Sequence, residues 1–321
     1  MRATIWPLLI CTLLGACSSS PYGRSQLTVP QQVSEVYSEV NMRLQLATTA
    51  DARYQCTESE CDASKDFEMR VARLGARLAD KSFELYPDLG ERLGRFGFVI
   101  SDKAEPGTTS NASGMVVVFS GTRALELSDT ALAFILAREM GHVIGRHHNE
   151  NTATSIIVSV LAQVLLPMTG LLRSLALLPG ASSAAAASAT TATATTGSAA
   201  AATATATAAS FLGSRAVIAT YWPQQLAEAD TIALTMLARL GYDPQETADA
   251  LAEAERRLAG DSSWPRDLRA SAGHVAQIAQ GPRVDKERLP QLAASEPLKL
   301  THVIGNPSAD ATEPSPQART Q

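Results

Sequence analysis

Ala137-Arg138-Glu139-Met140-Gly141-His142-Val143-Ile144-Gly145-Arg146-His147-His148 closes a strongly apolar stretch, and its reading decides the rest of the chain. Before and within it, Leu132, Ile135, Leu136, Met140 and Val143 recur at three- and four-residue spacings, which places them on one helix face. Ser128 stands where an N-cap hydroxyl accepts from the first free backbone N–H groups. The pattern predicts a helix from about Asp129 to His147 with a core-facing stripe. Arg138 and His142 are four residues apart, so they share one side of that helix, and Glu139 lies beside them.

Working outward, Gln32 to Ala47 reads as an amphipathic helix carrying Val33, Val36, Val40, Leu44 and Leu46. From Ser64 to about Leu85 a stronger helix carries Phe67, Val71, Leu74 and Leu78, and Pro87 ends it. Phe96 to Ile100 and Met115 to Phe119 are short runs rich in branched and aromatic residues and read as sheet strands. After the motif, Ala216 to Leu240 reads as a helix ended by Gly241. Gln245 to Leu258 and a segment after Pro265 read as two more. Between Asn151 and Ser214 the only ionisable side chain is Arg173. Ile156 to Leu172 is apolar but interrupted by Pro167 and Gly170, which suits a buried or membrane-surface hairpin better than a span. Ala181 to Ser210 is an Ala/Thr/Ser tract whose order the composition leaves undecided. The fold class expected is α+β and mainly helical, with a small sheet beside the motif helix.

The 321 residues carry a net charge of −5 and are 45% hydrophobic, an ordinary globular composition. Collagen, coiled coil and wholesale disorder are excluded. The mild acidity gives no electrostatic footprint for a phosphate backbone, so nucleic acid is not an expected partner. At the N-terminus, Arg2 precedes an apolar run from Ile5 to Leu14 that is too short to span a bilayer. It ends in Leu14-Gly15-Ala16-Cys17, which resembles the lipobox of bacterial lipoproteins. The resemblance implies that residues 1–16 are a signal peptide and that Cys17 becomes an acylated N-terminus. Ser18 in the next place implies the outer membrane of a Gram-negative bacterium, with the body facing the periplasm. An ordinary secretory signal is the alternative. Residues 17–30 then read as a lipidated tether, and residues 283–321 as a C-terminal extension with a polar, Pro-rich tail. In that oxidising compartment Cys56 and Cys61 are expected to form a local disulfide, since no second Cys pair or nearby His completes a metal site.

The motif helix resembles the H-E-x-x-H helix of zinc metallopeptidases. In that arrangement two imidazoles at i and i+4 hold zinc, and the Glu after the first acts as general base on the metal-bound water. Asn111-Ala112, Gly114 to Gly121, Glu228-Ala229-Asp230 and Leu240-Gly241-Tyr242-Asp243-Pro244 follow in the order seen in the CAAX prenyl protease and HtpX-like zinc metallopeptidases, peptidase family M48. The resemblance implies a metallopeptidase-like domain over residues 31–282, carrying residues 151–214 as an insertion. It also implies zinc as the family's cofactor, Glu139 at the general-base position and His142 as a ligand.

Three positions depart from the family pattern. The first histidine is Arg138, which has no lone pair and repels a dication. The third ligand, a Glu four residues before Asp230, is Leu226; Glu228 is the alternative near it in sequence, rotated away from that face. A His-Pro pair near the cleft matches Trp264-Pro265. His147, His148, His274 and His302 are the remaining candidates for a rebuilt metal site, although His147 and His148, five and six residues on from His142, do not share its i+4 face. Asp230, which in relatives orients the first histidine from behind the metal, is expected to take a direct salt bridge from Arg138 instead.

The favoured expectation is a zinc-less, lipid-anchored binding, assembly or quality-control module of the cell envelope, with no cofactor. Its membrane contact would be the lipid on Cys17. Its partners would be unfolded or outer-membrane proteins gripped along the strand near Met115 to Phe119. The alternatives are an active zinc metalloendopeptidase of envelope protein quality control, and a membrane-associating scaffold built on residues 151–214.

Overall fold

The computed structural model describes residues 17–47, 58–165 and 198–281, without the side chains of 17, 58–61, 162–165 and 198–209. The signal segment, the Cys56–Cys61 pairing, acylation at Cys17, most of the Ala/Thr tract, His302 and the tail lie outside what is described. Strands β1 (Cys17–Ser19) and β2 (Ser25–Leu27) form an antiparallel hairpin, and helices α1 (Gln31–Ala47), α2 (Glu58–Leu85) and α3 (Leu89–Arg92) follow. Next come β3 (Gly97–Ser101), β4 (Thr108–Ser110), β5 (Met115–Phe119) and a 3₁₀ turn at Ser120–Leu125. The rest is helical: α4 (Asp129–Ile144), α5 (His147–Leu165), α6 (Ser198–Arg239), α7 (Pro244–Arg256) and α8 (Ser263–Gln280).

The motif helix α4 is the axis of the molecule. The Ser128 hydroxyl accepts from Ala131 N–H at 3.2 Å to cap its first turn. Every residue from Thr130 to Ile144 is buried, so the helix is enclosed on all sides, more completely than a one-face stripe implies. It packs against α2 through Phe67, Val71, Leu74 and Leu78, and against α6 through Ile232, Met236 and Leu237. Gly141 sets the closest approach. A Cβ there would stand 2.6 Å from the Ala229 carbonyl oxygen, so α4 and α6 touch backbone to backbone beside the motif.

The sheet has order β3-β5-β4, with β3 parallel and β4 antiparallel to β5. This corrects the expectation of a partner on the strand near Met115 to Phe119. That strand is central and paired on both sides, and β4, a short polar strand not foreseen from the sequence, is the edge nearest α4. Two further corrections concern the N-terminal part. In α1 the valines and Leu44 are exposed while Ser34, Ser38 and Met42 are buried. The Ser38 hydroxyl accepts from Ala112 N–H at 2.9 Å, so satisfying the backbone beside β5 decides which face turns inward. The tether reading of residues 17–30 is replaced by a docked hairpin, with Ser20 and Gln26 buried. Among the described residues, no helix is long and apolar enough to cross a membrane.

Candidate functional site

The helix breaks just past the motif. α4 stops at Ile144, Arg146 takes a left-handed backbone with φ 58°, and α5 begins at His147. A Cβ on Gly145 would lie 2.6 Å from His147 Nε2, so glycine is what permits the His147 ring to fold back over the turn. Its Nδ1 comes to 2.9 Å from His142 Nδ1, and its Nε2 to 3.2 Å from Glu228 Oε2. The expectation that His147 misses the face of His142 assumed one continuous helix, and this break removes that assumption.

Glu228 is therefore in the site, although it does not share the face of Asp230. Its Oε2 also accepts from Arg24 Nε at 3.1 Å, while Arg24 grips Glu150 in a two-pronged pair at 2.7 Å on each oxygen. Gln225 donates to Glu150 as well. Burial alone would raise the Glu228 carboxyl. The bond from His147, the Ser20 hydroxyl and the Arg24 charge hold it below the usual carboxylate range. Burial pushes His142 well below the ordinary imidazole value, lowers His147, and takes His148 down to about 3. With neutral rings one assignment satisfies every contact. His147 donates from Nε2 to Glu228 and accepts at Nδ1 from the Nδ1–H of His142, which leaves the His142 lone pair on Nε2.

On the other side, both oxygens of Glu139 are engaged. Thr108 donates to Oε1 at 2.7 Å and Ser110 to Oε2 at 3.0 Å, the latter hydroxyl also lying 3.1 Å from His148 Nε2. Trp264 Nε1 donates to the Thr108 oxygen at 2.8 Å, so this indole buttresses the carboxylate through that hydroxyl. Arg138, 2% exposed, places Nη2 3.7 Å from Glu139 Oε1. Its Nη1 donates to Ser271 at 3.3 Å, and Ser271 donates to Asp230 at 2.8 Å. The direct Arg138–Asp230 pair expected from the sequence is thus replaced by a serine bridge, and Asp230 also faces His274 Nδ1 at 3.2 Å. The Arg138 Nε and Glu228 Oε1 atoms are buried without a hydrogen-bond partner.

A cavity of about 350 Å³ joins these groups, with Arg138, Glu139, His142, Trp222, Trp264 and Asp267 in its wall. Trp222 stacks on His142 with ring centres 5.2 Å apart and planes at 11°, and its Nε1 donates to Asp267 at 3.2 Å. Leu226, one turn after Trp222, adds an apolar patch. Sequence reasoning missed Arg24, Thr108, Ser110, Trp222 and Ser271. Two signals were present: Arg24 is the single charged residue between Ser18 and Pro30, and Trp222 continues the four-residue register of Asp230 and Leu226.

Arg24 carries a stability prediction. Arg24→Ala leaves Glu150 and Glu228 buried without their cation and is expected to cost about 3 kcal/mol, as for a broken buried ion pair. Urea unfolding should show it as a lower midpoint at unchanged slope. Arg24→Lys should recover only part, because an ammonium lacks the fork that spans two carboxylates. An unchanged midpoint in Arg24→Ala would show that the hairpin is not held there.

Comparison with known proteins adds one finding. The model of Peptidase family M48 matches residues 106–320, about two thirds of the chain. Curated proteins and solved structures give no match.

Proposed function

The chain belongs to peptidase family M48, and from that premise we propose that it is a zinc-independent member whose cleft holds polypeptide without cutting it. The family is zinc-dependent, but the residues present here do not fit the metal. Arg138 brings a fixed positive charge to the first ligand position, and Leu226 brings a hydrocarbon to the third. His147 stands between His142 and Glu228, turning a different ring nitrogen to each, so one ion cannot take all three. Among the described residues no three His, Cys, Asp or Glu side chains are grouped as metal ligands.

The observation that carries the reading is the state of Glu139. A general base needs an oxygen free for water, and here both accept hydroxyl protons while a guanidinium lies alongside. What persists is the cleft between α4, α8 and the edge of β4, to which an extended chain can add as a strand. Lipid on Cys17 would tether the domain to the periplasmic face of the outer membrane, where unfolded or outer-membrane proteins are the partners in reach. An active endopeptidase using His142, His147 and Glu228 is the rival, since those three side chains do meet.

Elemental analysis separates the two. The full chain, purified without chelator and then titrated with zinc, is expected to hold well under one equivalent, and Glu139→Gln should leave polypeptide binding unchanged. Stoichiometric, chelator-sensitive zinc, with cleavage lost in Glu139→Gln, would overturn the proposal in favour of the protease.

A further inference from the structure

We propose that the cleft seats a cationic alkyl group, an ammonium or guanidinium on a methylene stem, between Trp222 and Trp264, with Asp267 as its counter-ion. The lysine or arginine side chain of a bound polypeptide is the intended occupant. The inference rests on the binding role proposed above and names the chemistry that this cleft selects.

A census of the charged groups in the wall leads there. Lys103 pairs with Glu105, and Arg138 lies beside Glu139, whose oxygens are already taken by Thr108 and Ser110. The lining histidines are held neutral by burial and offer no compensating charge. Asp267 is left over. Among the described residues no cation comes within 4 Å of it, and its hydrogen bond is the one from the Trp222 indole. It is the fifth residue of α8, past the first turn where a helix terminus steadies an anion. Burial raises its pKa, and the Trp222 bond with the more distant charges of Arg138 and Arg266 offsets that rise only in part.

The walls on either side are aromatic. Trp222 is pinned at Asp267 by its Nε1 and backed by His142, and Trp264 is pinned by Thr108, so both rings are held in place before anything binds. Indole faces attract cations and also cover a methylene stem. A carboxylate next to two fixed indoles favours a cation over a neutral group of the same length, and disfavours an acid by repulsion. The cavity, about 350 Å³, is at the small end for ligand sites and suits one long side chain.

The test is calorimetric titration of the full chain in mild detergent with blocked hexapeptides that differ at one central position: Lys, Arg, Met or Glu. Lys and Arg peptides are expected to bind at least about tenfold more tightly than Met and Glu peptides. Asp267→Asn keeps an oxygen for the Trp222 indole and should abolish that preference with an unchanged melting temperature, whereas Asp267→Glu should retain it. Equal affinity for all four peptides, or a preference that survives Asp267→Asn, would overturn the cation site and leave the binding cleft standing. No binding by any peptide would overturn both, and chelator-sensitive cleavage of the peptides would overturn the zinc-independent reading itself. Butylammonium alone should compete only weakly with the Lys peptide. Competition at equal concentration would replace the polypeptide with a free amine as occupant.

Discussion

Between pH 7 and pH 5 the folded chain is expected to lose about 4 kcal/mol of stability, a large share of what an ordinary domain has. The loss comes from His142 and His148, which burial keeps neutral and which have no carboxylate against their rings. In the unfolded chain both titrate near the ordinary imidazole value of about 6.5, so below that pH the unfolded state binds protons that the folded state refuses. Each contributes a slope approaching 1.4 kcal/mol per pH unit. Their stabilising contribution is fully present above about pH 6.5 and drains away on acidification. His147 adds less, because Glu228 and Glu150 favour its charged form and partly offset its burial. Glu228 acts in the same direction but lower down, its contribution being lost only as pH falls through a folded value already below 4.5. Urea unfolding at half-unit steps of pH should show this slope, with uptake of about two protons on unfolding at pH 5 and almost none at pH 7.5. A flat profile from pH 7 to pH 5 would mean that the rings are charged or solvated and that the tautomers assigned to the His142–His147–Glu228 chain are wrong.

How far the sequence was legible follows from the kind of signal each element carries. α2 and α4 are read well because an apolar stripe meets a large core, and the Ser128 cap and Pro87 stop work through the backbone alone. α1 is read with the right bounds and the wrong face, since a backbone N–H at Ala112 needs the Ser38 hydroxyl more than the core needs Val36. β4 escapes notice because Thr108, Thr109 and Ser110 are polar. Its side chains are chosen for Glu139, and it takes its backbone pairing from β5. The same division runs through the site. Glu139, His142, Arg138, Leu226 and Asp230 are fixed by counting along helices, and the structure brings them to one cavity or to the bonds behind it. Arg24, His147 and Glu228 meet across 204 and 81 residues of sequence separation, through a hairpin and a helix break, and helical spacing carries no trace of either.

Arg138→Met is expected to destabilise the fold by about 3 to 5 kcal/mol, lowering the melting temperature by about 10 °C in a domain of this size. Arg138 is among the largest fully buried side chains, and it lies between Glu139 and the Ser271–Asp230 pair, two carboxylates that the same cation serves. Methionine fills much of the volume, so most of the loss is electrostatic, a buried charge cluster deprived of its positive member. Adding Glu139→Gln should return a large part of the loss, because the amide still accepts from Thr108 and no longer needs a counter-charge. On the zinc-independent reading proposed above, the Arg138 cation supplies the positive charge that a metal ion would bring to this place, and restoring a site for the ion should make the two exchangeable. In Arg138→His with Leu226→Glu, the fold should be weak without metal and gain stability as zinc is added, while the unaltered chain stays indifferent to zinc. Melting curves of the four chains, with and without zinc, measure all of this at once. If Arg138→Met melts within about 2 °C of the unaltered chain, less than the shift a broken buried pair implies, Arg138 is not what balances these carboxylates.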